Sequence, residues 1–198
     1  MKFMLWLIGG ILLILAIGMF YSFRFKKIET PKYKILRKIS DVEIREYPAM
    51  TLAQTKLRSN RYDGNEDNGF RTVAGYIFGG NSKQQKIAMT APVIMQLSDS
   101  GSSMSFVMPS QYEKDELPEP NSDRVKIVSQ SSVILAVLQF KGFASEQKII
   151  QYRDQLLGIL KTNNINVKSD LFYMGYNAPW DVVNRRNEVA FEVEKDSI

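Results

Sequence analysis

The chain has 198 residues, 44% hydrophobic and 24% charged, which is typical of one globular domain with a short appendage. It contains no cysteine and no histidine, which excludes disulfides, thiolate and imidazole metal ligands, and catalysis by either side chain. The net charge is +5, but residues 1–27 hold four basic residues and no acidic one. The rest is nearly neutral, so we predict no nucleic-acid-binding surface.

The N-terminal segment is strongly apolar. Residues 3–23 carry no charge, and a helix of this length extends about 32 Å, enough to cross a hydrocarbon core of about 30 Å. The alternative is a cleaved signal peptide, but the run is long for one and the basic sequence RFKK follows in place of a small-residue cleavage site. We therefore predict that residues 1–27 are a transmembrane signal anchor with its basic flank, and that 28–198 form one domain.

The basic residues around this segment also predict its orientation. More of them follow the apolar run than precede it. By the positive-inside rule this asymmetry predicts a single-pass protein whose folded domain lies in the cytoplasm.

Residues 33–198 alternate between predicted strands and helices. Phe70, Val73 and Ile77 have helical spacing, and Gly79-Gly80-Asn81 ends that helix. Ser145 is the predicted N-cap of a second helix. The predicted helices are 68–78 and 145–162, and the predicted strands are 33–39, 42–47, 49–57, 87–97, 104–108, 125–128, 132–140, 171–176 and 188–194.

The two halves of this pattern are alike. Each has paired strands, a helix and two further strands, and an Ala-Pro dipeptide (Ala91-Pro92, Ala178-Pro179) is interpreted as following the strand after each helix. The alternative is a coincidence within an ordinary α+β chain. A duplicated domain has pseudo-twofold symmetry and a natural cleft where its halves meet.

Six motifs stand out in this region: GFRTVAGYIFGGN (69–81), KIAMTAPV (86–93), GYNAP (175–179), NRRNEV (184–189), VEIREY (42–47) and VMPS (107–110). Together they resemble the SOUL family of haem-binding proteins, over residues 33–194. The resemblance implies an α+β fold, a distorted antiparallel β-barrel of two four-stranded sheets with two packed helices. It also implies affinity for haem or a related tetrapyrrole in a cleft between 68–78 and 177–186.

The chain departs from the family at Glu46. Some members have a histidine there that has been assigned as an iron ligand, whereas this chain has no histidine at all. Axial imidazole ligation from within the chain is therefore impossible. Tyrosine and methionine also occur on haem iron. Met89, Met174, Tyr173 and Tyr176 are candidates, with ordinary core packing as the alternative for each.

The residues themselves indicate how a porphyrin would be held. Phe70, Ala74 and Phe78 form a second apolar stripe on the first helix, and the alternative is that the 58–68 loop covers this stripe. Trp180 supplies an aromatic face, and arginines suit carboxylates, although paired arginines are also common in solvated turns. The predicted cofactor-binding residues are Phe70, Arg71, Ala74, Phe78, Tyr176, Trp180 and Arg185.

Other chemistry is sparse. No phosphate loop, calcium loop or pair of catalytic carboxylates is recognisable, and Arg45 with Glu46 is interpreted as an exposed strand pair. We predict no catalytic residue and no protein metal ligand. The predicted function is a monomeric, membrane-anchored, non-enzymatic haem- or tetrapyrrole-binding protein. The alternative is an effector-binding or protein-interaction domain for another amphipathic ligand or a peptide, and an enzyme ranks third.

Overall fold

A computed structural model describes residues 28–62, 69–178 and 181–198. These segments contain nine strands, two α-helices and two single 3-10 turns at Lys114–Glu116 and Lys195–Ser197. The helices are α1 (Gly69–Ile77) and α2 (Glu146–Thr162). The strands are β1 (Lys34–Ile39), β2 (Val42–Tyr47), β3 (Met50–Lys56), β4 (Val93–Leu97), β5 (Ser103–Val107), β6 (Val125–Gln130), β7 (Val133–Lys141), β8 (Leu171–Gly175) and β9 (Arg186–Glu192).

The predicted membrane anchor, residues 1–27, lies outside the described residues. Within the three described segments, no helix is long and apolar enough to cross a membrane. Anchoring and orientation therefore stay predictions.

The predicted start of α2 and the predicted end of α1 are both confirmed by their capping interactions. The Ser145 hydroxyl accepts a hydrogen bond from the Lys148 backbone N–H (3.3 Å) and caps α2. At the end of α1, Gly79 has φ +113°, a left-handed conformation that favours glycine. The Gly80 N–H then donates to the Gly75 carbonyl (2.8 Å), which satisfies a terminal carbonyl of the helix.

One predicted strand is much shorter in the structure. Only Val93–Leu97 of the predicted 87–97 strand joins the sheet as β4. The Ile87 N–H donates instead to the Ile77 carbonyl at the end of α1 (2.8 Å), and Pro92 has no N–H to offer a neighbouring strand. Ala91-Pro92 therefore precedes β4, whereas Ala178 follows β8, so the two Ala-Pro dipeptides are not equivalent and that part of the duplication argument is wrong.

All nine strands belong to one antiparallel, strongly curled sheet. Its order is β1-β2-β7-β9-β8-β4-β5-β3-β6. The expectation of two four-stranded sheets is wrong. The strands β4 and β8 pair directly, from Val93↔Gly175 to Leu97↔Leu171, and join the two halves into one sheet. This pairing satisfies backbone groups that would otherwise lie on two exposed edges.

The sheet order has an internal twofold pattern. The unit β3-α1-β4-β5 is repeated as β7-α2-β8-β9, with the order β3-β5-β4 in one half and β7-β9-β8 in the other. The outer strands are exchanged between the units: β2 pairs with β7, and β6 pairs with β3. Each half of the sheet is thus completed by a strand from the other half of the chain.

Both helices pack on the same face of the sheet. α1 buries Val73, Tyr76 and Ile77 in one core cluster, and α2 buries Ile149, Leu156 and Leu160 in another. The strands alternate, so every second side chain points to the opposite face, which we call the helix-free face. A third cluster lies there, consisting of Tyr47, Val133, Leu135, Val137, Met174 and Ala190.

The strand exchange predicts that the halves depend on each other for folding. Residues 28–121 contain β2 and β3 but not their partners β7 and β6. Residues 122–198 contain β6 and β7 but not β3 and β2. We expect each fragment alone to lack a cooperative thermal transition and the equimolar mixture to recover one, measured by circular dichroism. A cooperative monomeric transition in either isolated fragment would contradict the dependence.

Candidate functional site

Helix α1 presents an exposed surface, which we call the α1 stripe, made of Phe70, Arg71, Gly75 and Phe78. The side chain of Phe70 is 43% exposed and that of Phe78, the residue after the helix, is 60% exposed. Arg71 is exposed between them, and a Cβ placed on Gly75 would meet no atom within 4 Å. Two large aromatic side chains on one open helix face form an apolar surface of the kind that marks an interaction site.

Ala74 is not part of this exposed surface. It is 6% exposed and packs in the same core cluster as Val73 and Ile77. The stripe is nevertheless tied to the core, since the Phe70 ring contacts the Phe106 ring of β5 at a centroid distance of 5.2 Å. This contact holds the N-terminal end of the α1 stripe against β5.

Arg185 holds the loop between β8 and β9. Its Nη1 donates to the Ala178 carbonyl (2.9 Å) and to the Asp181 carbonyl (2.6 Å). Its guanidinium also lies over the Phe143 ring at 4.6 Å. These two carbonyls flank positions 179–180, so Arg185 fixes both ends of the segment that carries Trp180. Trp180 itself lies outside the described residues.

Tyr176 lies on the helix-free face. Its hydroxyl donates to Glu188 Oε2 (2.8 Å), and the Arg186 guanidinium lies 4.0 Å from its ring centroid. Burial and the neighbouring Glu188 charge raise the pKa of Tyr176. The structure thus brings Phe70, Arg71 and Phe78 together, and places Tyr176 on the opposite face of the sheet from them.

The helix-free face also holds a buried charge cluster that the sequence interpretation missed. Arg45 Nη1 donates to both oxygens of Glu188 (3.1 and 3.0 Å), and Arg186 donates to Glu188 Oε1 through Nε and Nη2 (3.0 and 2.7 Å). The side chain of Glu188 is 0% exposed and that of Arg45 is 4% exposed. The interpretation of Arg45 with Glu46 as an exposed pair is therefore wrong.

Every charge in this cluster has a partner. Arg45 also pairs with Glu43 (2.8 Å), which in turn pairs with Lys38 (2.9 Å). Burial lowers the pKa of Arg45, but the Glu188 carboxylate and the Tyr47 hydroxyl together outweigh this effect, and the pKa of Arg45 is raised. The cluster therefore offers no unpaired cation to a ligand.

The candidate iron ligands are mostly committed to other contacts. The Tyr173 hydroxyl donates to Asn187 Oδ1 (2.8 Å), and burial raises the pKa of Tyr173, so both candidate tyrosines hold their protons. Met174 is 2% exposed, and Met89 is half-buried against the α1 core. Among the described residues no group of three or more acidic side chains is placed to hold a metal ion.

The buried cluster predicts a strong and specific loss of stability. Glu188→Gln removes the carboxylate that the buried Arg45 and the half-exposed Arg186 share, and Arg45 keeps only Glu43 as an acidic partner. Removing one partner of such a buried cluster costs on the order of 3 kcal/mol. The matched control is Glu192→Gln, which breaks the half-exposed Lys168–Glu192 pair (3.2 Å) on the same strand and costs under about 1 kcal/mol. Urea denaturation measures both, and equal losses would contradict the structural role of Glu188.

Comparison with known proteins agrees with the motifs. The family model described as SOUL heme-binding protein matches residues 28–192. Heme-binding protein 2 of Homo sapiens is 32% identical over 174 residues, covering 82% of this chain and 84% of the relative. Heme-binding protein 1 of Xenopus laevis is 31% identical over 158 residues, covering 75% and 82%.

A solved structure shares the fold. The crystal structure of the EcmrR C-terminal domain matches with a TM-score of 0.58, covering 82% of this chain and 98% of that one. The sequence identity is 10%, so this likeness bears on the fold alone.

Proposed function

The chain belongs to the SOUL heme-binding protein family, and we propose that it binds haem or a related tetrapyrrole without chemical turnover. The observation that carries the proposal is the α1 stripe, where Phe70 and Phe78 remain 43% and 60% exposed. A flat aromatic ligand removes this apolar surface from water. The absence of histidine and cysteine from the sequence leaves no imidazole or thiol for catalysis.

The stripe also supplies a cation for an acidic porphyrin. Arg71 is exposed on the same helix face as the two rings, so its guanidinium can pair with a propionate at the ligand edge. We assign Arg185 a positioning role, because its Nη1 already bonds two carbonyls of the loop. In this proposal it holds the loop so that Trp180 can cover the porphyrin.

The iron contributes little to affinity in this proposal. The chain has no histidine, and the hydroxyls of Tyr173 and Tyr176 donate to buried partners. The ring and the propionates are left as the main sources of binding free energy. A zinc or metal-free porphyrin should therefore bind nearly as well as haem.

A haemin titration of residues 28–198 tests the proposal. Trp180 is the sole tryptophan of this fragment, so quenching of its fluorescence reports a ligand near the β8–β9 loop. Phe78→Ser and Trp180→Ala each remove an aromatic contact worth about 1–2 kcal/mol, which weakens binding roughly five- to thirtyfold by absorbance. Arg71→Glu weakens it further, and the loss shrinks as salt is added.

The control for these variants is Lys114→Glu. This residue lies in the 3-10 turn between β5 and β6, and reversing its charge should leave haemin affinity unchanged. If Phe78→Ser, Arg71→Glu and Trp180→Ala all fold and bind haemin like the parent, the α1 stripe is not the site.

We further propose that residues 1–27 anchor this domain to a membrane, with the domain on the cytoplasmic side. The support is the uncharged run at 3–23 and the basic sequence that follows it. A haem-binding domain tethered in this way would bind its ligand close to the membrane surface.

The anchor has a direct test. The full chain should remain with membranes after high-salt and alkaline carbonate washes, since burial of an apolar helix is insensitive to both, and residues 28–198 should be released. External protease should leave the domain intact in sealed spheroplasts. Recovery of a mature form cleaved near residue 23 would refute the anchor, and digestion of the domain would reverse the orientation.

A further inference from the structure

The helix-free face contains a groove that takes no part in the proposed haem site. Its volume is about 460 Å³, within the range of about 300–1,000 Å³ typical of small-molecule sites. Eight of the nine strands contribute lining residues, because the sheet curls around the groove. α1 packs on the other face of the same sheet, so the groove and the α1 stripe are separate surfaces.

The floor of the groove is mainly apolar. Leu52, Leu135 and Met174 are buried there, whereas Ile94 and Phe172 are half-buried and line the open space. These side chains come from four different strands, which gives the floor a fixed shape. A ligand with a hydrocarbon body would complete the burial of Ile94 and Phe172.

One side of the groove carries hydrogen-bonding groups without charge. Gln54 Nε2 lies 3.2 Å from Ser103 Oγ and 3.1 Å from Ser105 Oγ. Whichever way the Gln54 amide is turned, this set retains donors that no bond between the three residues uses. Gln96 lines the same side, and its amide forms no hydrogen bond with the described part of the chain. An acceptor oxygen on a ligand would satisfy these donors.

Charge is confined to the rim. The charged lining residues are Lys168, Asp170 and Glu192, and Lys168 is already paired with Glu192 at 3.2 Å. A buried charge without a partner is costly, so the groove disfavours a ligand with carboxylates such as a porphyrin dipropionate. The volume, the apolar floor and the uncharged hydrogen-bond donors of the groove therefore suit a small, uncharged and mainly apolar ligand.

We propose that this groove is a second binding site, for an uncharged, mainly hydrocarbon small molecule that carries a carbonyl or ether oxygen. The oxygen accepts hydrogen bonds from the Gln54–Ser103–Ser105 side and from Gln96. The hydrocarbon body lies on Ile94 and Phe172. The one cation among the described lining residues, Lys168, is already paired with Glu192, so the groove offers no free partner to a haem propionate. Haem binds on the other face, and the two ligands bind independently.

The absence of cysteine from the chain makes the two surfaces separately measurable. Gln96→Cys places a thiol in the groove, and Gly75→Cys places one on the α1 stripe, where a Cβ meets nothing within 4 Å. The full chain in lipid vesicles is labelled with N-ethylmaleimide, with and without ligand. The groove probe is Nile red, a neutral planar dye with one carbonyl, and the stripe probe is haemin.

At about ten times its dissociation constant, Nile red should slow labelling of Gln96→Cys about tenfold and leave Gly75→Cys unchanged. Haemin should slow labelling of Gly75→Cys and leave Gln96→Cys unchanged. Ser103→Cys, a near-isosteric change in the same groove, repeats the measurement if Gln96→Cys does not fold.

Each other outcome has a definite meaning. The groove proposal is overturned if Nile red protects neither groove thiol, if it protects Gly75→Cys equally, or if haemin protects a groove thiol. If haemin protects neither surface while Nile red still protects the groove thiols, the second site stands and the haem site on the α1 stripe fails.

Discussion

The exchange of strands between the two halves is the constraint on which the rest of the structure depends. β2 pairs with β7 and β6 pairs with β3, so neither half can complete its own sheet. With the β4–β8 pair in the middle, the exchange produces one curled sheet in place of two separate ones. The curl encloses the groove on one face, and the two helices cover the other.

The buried Glu188 cluster links the exchanged strand β2 to β9 across β7. It joins Arg45 of β2, from the first half of the chain, to Glu188 and Arg186 of β9 at the end of it. Buried ion pairs are weak contributors to stability when compared with an apolar replacement, but they tolerate few alternative registers. A one-residue slip of β2 would turn Arg45 toward the helices and leave Glu188 with fewer partners. The cluster therefore favours one alignment of the exchanged strand.

Much of the fold was predictable because strand and helix signals are local. The cap at Ser145, the end of α1 at Gly79 and the bounds of β2 are confirmed by the structure. The burial of Arg45 was not predictable, because alternation shows which residues share a face and not that distant strands cover it. The bonds of Arg185 escaped prediction for a related reason, since its acceptors are backbone carbonyls, which every residue has.

The outer edge of β1 bears on how this molecule meets copies of itself. Among the described strands β1 pairs with β2 alone, and its backbone is irregular between Ile35 and Arg37. Lys34, Arg37 and Lys38 are exposed along it. Two such edges brought together would align like charges on strands that do not run straight, which opposes growth into fibrils. The strand that opposes self-association thus lies outside both proposed binding surfaces.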